Sequence, residues 1–171
     1  MTTSAASPAE PALFHGPTQH STSAKQSMTA RSKGSTRSKA RKRALDILFE
    51  AELRGSALLD TLAERTADAD PPVRDYTAEL VHGFSEHRHD IDARISAALT
   101  DGWSLDRLPR VDRNCLRIAV FEIDYSDLPD SIAVSEALNL VGDLSTDESP
   151  GFVNGVLGTI VATKVAVAPH G

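Results

Sequence analysis

The densest run of residues able to do chemistry lies at 25–43, where Lys25, Arg31, Lys33, Arg37, Lys39, Arg41, Lys42 and Arg43 are opposed by no acid. Guanidinium and ammonium groups at this density suit phosphate oxygens, so a polyanion, nucleic acid first, is the partner expected. A bare basic run positions a backbone without reading its sequence. Selective binding of single-stranded RNA also needs stacking or base-edge contacts, which the fold must supply. Three other groupings carry weaker chemistry. His82, Glu86 and His89 fall at i, i+4 and i+7 of a predicted helix. A metal accepts that spacing, but no fourth ligand accompanies it, and a solvated face is the reading. Gly151, Gly155 and Gly158 share a helical face but lack the flanking strand and Lys-Ser or Lys-Thr of a phosphate loop. Close helix packing through small residues is therefore expected there. Asp147-Glu148 occupies a loop with nothing to raise a carboxyl pKa, hydrolase elbows such as G-x-S-x-G are absent, and Cys115 sits in an apolar segment as a small core hydrophobe. These residues predict no catalytic site, no metal and no cofactor.

The elements that must position the basic run are helical by their apolar period, and alternation of period two is missing. Helices are expected at about 37–54, ended by Gly55, at 57–67 behind a Ser56 cap, and at 72–99 after Pro71-Pro72, with a break near Gly83. One or two turns at 104–108 precede a helix over 110–125, whose centre CLRIAVFEI is apolar around most of its circumference, as a central buried helix requires. Helices at 131–142 and 150–164 complete the set, the last led by Ser149 and Pro150. Residues 1–36, rich in Ser, Thr, Ala and Pro, have too little apolar surface to offset chain entropy and read as a disordered basic arm; Met28 is an alternative start within it. The domain expected is 37–165, with 166–171 a frayed tail.

At 171 residues the chain has room for one ordinary domain, and 40% hydrophobic residues supply a core without staples. The single cysteine excludes an intrachain disulfide and fits a reducing cytoplasm. No apolar run approaches the length of a spanning helix, so no membrane association is expected. The net charge of −6 is uneven: residues 1–43 hold eight basic groups and one acid, the rest ten basic groups and twenty-three acids. A basic arm on an acidic body predicts polyanion binding that is local and salt-sensitive.

Four segments, in order, resemble the NusB family of transcription antitermination factors. ARKRALDILFEAEL at 40–53 is similar to its Arg-rich opening and amphipathic helix. DGWSLDRLPRVDRNCLRIAVFEIDY at 101–125 is similar to its W-x-L-x-R-L, D-R-x-x-L-R and aromatic-Glu stretch. LPDSIAVSEALNLVGDL at 128–144 and DESPGFVNGVLGTI at 147–160 resemble its I-P-x-x-V-A-I-N-E-A and F-V-N-G-V-L segments. The family usually has Tyr at the positions of Phe49 and Phe121, Asn at Ser135, and often Lys where Gly151 precedes Phe152.

The resemblance implies an all-α bundle of six or seven helices in two small subdomains, and no enzymatic activity. It implies binding of boxA-type single-stranded RNA of ribosomal RNA leaders together with the small-subunit ribosomal protein that acts as NusE. Other Nus factors and RNA polymerase are implied as further partners. Arg37, Lys39, Arg41, Lys42, Arg43 and Phe152 match the family's RNA-contacting positions, while Phe49 and Asp112 match its ribosomal-protein interface. For Phe49 and Phe152 plain core packing stays an alternative. The family includes monomers and homodimers, and both are open. A NusB-like fragment of a ribosomal RNA cytosine-5 methyltransferase is the alternative reading from the enzyme class.

Overall fold

The computed structural model describes residues 35–165, which form six α-helices and one 3-10 turn with no strand among them. The expected arm and tail lie outside the described residues, except that Ser35 and Thr36 already belong to the first helix and its cap.

Helix α1 spans Thr36–Arg54. The Ser35 hydroxyl caps it by accepting from the Ser38 amide at 3.0 Å, and Gly55, at φ 65°, ends it in the left-handed conformation that glycine adopts without strain. Helix α2 spans Leu58–Ala67. Its N-cap is Ala57, without a side-chain cap, and not Ser56, whose hydroxyl instead pairs with Thr61 Oγ1 at 2.8 Å. Helix α3 spans Asp75–Ala98 and starts three residues later than the Pro72 signal suggests. Arg74 is still extended and forms the N-cap position, with no side-chain cap. The interruption of α3 falls at His87 (φ −104°, ψ 16°) and not near Gly83. Gly83 serves close approach: a Cβ there would lie 2.1 Å from the Phe121 ring.

The 3-10 turn Leu105–Arg107 leads into α4, Arg110–Tyr125, followed by α5, Asp130–Leu144, and α6, Ser149–Ala162. Helix α4 is central, as its apolar circumference predicts. Every residue from Asp112 to Ile123 is buried, and α1, α3, α5 and α6 all pack on it. The α3–α4 contact, the most extensive in the fold, joins the first three helices to the last three. Leu80, Phe84, Ile91, Ile95, Leu116, Ile123, Leu157 and Ile160 form the fully buried centre. Each such side chain contributes about 1.5–3 kcal/mol of burial.

The glycines of α6 do not do what their spacing suggests. Gly151, Gly155 and Gly158 are solvent-exposed, and a Cβ at any of them would meet nothing within 4 Å. Val153, Val156, Leu157 and Ile160 form the packed face, and the small residues lie on the opposite side.

Candidate nucleic-acid interface

The Arg-rich opening becomes the first two turns of α1, and the helix divides its members between core and surface. Arg37 and Lys39 are exposed, with the Arg37 guanidinium 4.7 Å above the centre of the Tyr76 ring. Lys42 is exposed and pairs with Asp46 one turn on, at 3.1 Å. Arg43 is half-buried and, one turn beyond Lys39, lines a cleft of about 420 Å3 between α1 and the 68–74 segment. Arg74, which the sequence reading missed, lines the same cleft. Asp68 and Asp70 face these three cations, leaving a positive surplus. No short-range sequence signal marks Arg74, since its meeting with Lys39 and Arg43 is made by the fold.

Arg41 corrects the expectation of a continuous phosphate-contacting run. It is 3% exposed, and its Nε donates to both carboxylate oxygens of Glu122, at 2.8 and 3.1 Å. Its Nη1 lies 3.5 Å from Glu136. The Tyr76 hydroxyl donates to Glu122 as well. Burial pushes the Glu122 carboxyl above the usual range, against the opposing pull of Tyr76 and Arg41. Burial, and then the bond to Glu122, pushes the Tyr76 phenol up to about 12. Ser38 Oγ donates to Glu136 at 2.8 Å, and Thr77 Oγ1 to the Ala40 carbonyl at 3.1 Å. The network pins the start of α1 to α3, α4 and α5. Arg41 thus orients its neighbours and presents no group to a ligand.

Asp112 is corrected in the same way. It is 3% exposed in the first turn of α4, where a carboxylate suits the helix dipole. It accepts from Ser145 Oγ at 2.6 Å and Ser149 Oγ at 2.9 Å, and so fastens the α5–α6 connection. It is not a surface group for a partner. Phe49 is half-buried on α1, one turn before Leu53, which is 58% exposed. Phe152 is half-buried and packs against Trp103, ring centroids 5.8 Å apart and planes tilted by 46°. Phe49 thus shares α1 with the cations, two turns beyond Lys42, whereas Phe152 stands on α6.

His82, Glu86 and His89 are exposed on α3, and no metal-holding group occurs among the described residues. Cys115 is 1% exposed, its thiol pushed up to about 12 chiefly by burial. No described helix is long and apolar enough to cross a membrane.

An all-helical domain that fastens one end of a basic helix through a buried ion pair, and leaves its other cations on the surface, is a binding module built to present charge. The comparisons give it a family. The NusB family profile matches residues 38–162, and the chain belongs to that family. The transcription antitermination protein NusB of Nocardioides sp. is 54% identical over 135 residues, 78% of this chain and 99% of that protein. That of Acidothermus cellulolyticus is 50% identical over 132 residues, 77% and 90% of the two chains. These relatives are named as antitermination proteins, not as RNA methyltransferases. T. maritima NusB matches with TM-score 0.67 and 31% identity, covering 77% of this chain and 94% of that one. NusB in a crystal structure of antitermination factors NusB and NusE with dsRNA matches with TM-score 0.62 and 28% identity, covering 75% and 97%.

Proposed function

We propose that this chain is a non-enzymatic RNA-binding adaptor of transcription antitermination. It holds boxA-type single-stranded RNA of ribosomal RNA leaders jointly with a NusE-type ribosomal protein, and with other Nus factors keeps RNA polymerase processive. The observation that carries the reading is the convergence of Lys39, Arg43 and Arg74 on one cleft of a NusB-family fold, with Arg37 and Lys42 exposed on the same helix. The crystal structure of antitermination factors NusB and NusE in complex with dsRNA supports RNA and a NusE-type protein as partner classes.

The mechanism is local. The Arg41–Glu122 pair anchors the start of α1 on α4, so the backbone that carries the surface cations is already in place before RNA arrives. The acidic body confines RNA to this face and attracts a basic protein elsewhere. Replacing Lys39, Arg43 and Arg74 together with Ala lowers affinity for a boxA-type RNA at least tenfold. It also reduces the magnitude of the salt slope by about 2, at roughly 0.7 per single-strand phosphate contact. Anisotropy titrations across a salt series measure both, and an unchanged affinity and slope would overturn the assignment.

A further inference from the structure

A groove of about 540 Å3 opens between the first half of α5 and the second half of α6. On α5 it is bounded by the stripe Ser131, Val134, Ser135 and Leu138, which recurs at i, i+3, i+4 and i+7 beside the buried stripe of Ala133, Ala137 and Val141. On α6 its wall is Val161 and Gly158, and Gly158 has no side chain to fill the space: a Cβ there would meet nothing within 4 Å. Val134, Leu138 and Val161 pack on the core and are only partly buried, so the groove has an apolar floor that the described residues leave uncovered. Its lining includes the carboxylate of Asp130 and, among the described residues, no Lys or Arg, so a phosphate backbone finds no partner in it.

The chain supplies an occupant of matching chemistry and reach. Lys164 Nζ donates to Asp130 Oδ1 at 2.9 Å, at the mouth of the groove, and the Lys164 amide donates to the Val161 carbonyl at 3.2 Å. The end of α6 therefore delivers the chain to the groove. The residues that follow read Val165-Ala166-Val167-Ala168, of which Val165 is 82% exposed and the others lie outside the described residues. In an extended segment the side chains at i and i+2 share one face, about 6.6 Å apart. Val134 and Leu138, four residues apart on α5, are offset by about 6 Å along the helix axis. The stretch from Asp130 to Asn139 measures about 14 Å at the helical rise, and four extended residues cover about 13 Å. A groove this short suits a single segment, whereas a stable dimer interface takes about 800 Å2 from each partner. We infer that residues 165–168 form an apolar strap that folds back into the α5–α6 groove. The Lys164–Asp130 pair clamps its start, Val165 meets Val134 and Val161, and Val167 meets Leu138. Docking withdraws Val165 from water, and Gly158 leaves the room that the strap fills. The inference is independent of the RNA reading.

The test is methyl NOE spectroscopy on the full chain, with 13C-labelled valine and leucine methyl groups. Cross-peaks join Val165 or Val167 to Val134, Leu138 or Val161. Two variants remove them by different routes and keep the helix content measured by circular dichroism. Val165→Asp with Val167→Asp makes the strap polar, and Gly158→Leu fills the groove from a position where the added side chain meets open space. The aspartate variant also uncovers the apolar floor and raises the fluorescence of the dye 8-anilinonaphthalene-1-sulfonate at least twofold. Absence of the cross-peaks in the unmutated chain, or their survival in Gly158→Leu, overturns the strap. In a mixture of labelled and unlabelled chains, cross-peaks that arise only between copies assign the groove to a second copy and overturn it too.

Discussion

Arg41 and Lys42 are neighbours in sequence and take opposite roles in the fold. The first is sealed between Glu122 and Glu136, while the second reaches water beside Asp46. Removing one partner of a buried ion pair strands the other charge in the core, so Arg41→Ala costs about 3–5 kcal/mol of stability. Lys42→Ala removes an exposed i,i+4 pair, worth about 0.3–0.5 kcal/mol. Urea denaturation of the two variants measures the contrast, and equal stabilities would show that Arg41 is not bound as described. Cys115 offers a second test. Only the thiolate reacts, and burial holds its pKa at about 12, so at pH 8 the native thiol is protonated as well as inaccessible. Iodoacetamide labels it slowly in the native protein and rapidly in denaturant; rapid native labelling would mean that α4 is not a closed core helix. At this scale the sequence was legible in charge but not in direction. Nothing in R-K-R says which cation points inward, because that depends on Glu122, which is 81 residues away.

Among the elements, the helices of the apolar pattern were legible nearly to their ends, and α4 as the centre followed from its composition. The errors come from tertiary packing. The break in α3 falls at His87, whose ring stacks on Tyr125 at 3.8 Å, a tertiary contact that no propensity encodes. The α6 glycines share a face by period, but period alone does not say whether that face meets protein or water. Gly83 and Gly155 separate the two uses of glycine by experiment. Gly83→Ala drives a methyl group into Phe121 and destabilises the fold by about 1–3 kcal/mol. Gly155→Ala places the same methyl group in open solvent on a helix and stabilises by up to about 1 kcal/mol. Thermal melts of both variants test this, and a Gly155→Ala loss as large as that at Gly83 would contradict the exposed α6 face.

For the whole molecule the governing feature is the separation of charge, eight basic groups and one acid in residues 1–43 against ten basic and twenty-three acidic groups in the remainder. That asymmetry was legible from composition, and with four ordered motifs it sufficed for the family. The interface was not legible as a surface. Arg74 joins Lys39 and Arg43 only through packing of α3 on α1, and Asp112 matched a motif position while lying beneath the surface it supports. In the folded domain, cations collect where α1 meets the 68–74 segment, while Trp103 packs on Phe152 near the start of α6. Glu122 and Asp112, which organise these two regions, are ten residues apart on α4, about 15 Å at the helical rise. The two regions thus rest on opposite ends of one buried helix. The most direct test of this division is a fluorescence-anisotropy titration of boxA-type and scrambled RNAs, with and without NusE, at two salt concentrations. The account predicts preferential binding of the boxA-type RNA that tightens when NusE is present, with an affinity that falls as salt rises. Equal binding of both RNAs, unaffected by NusE, would contradict it and reduce the basic face to a general polyanion site.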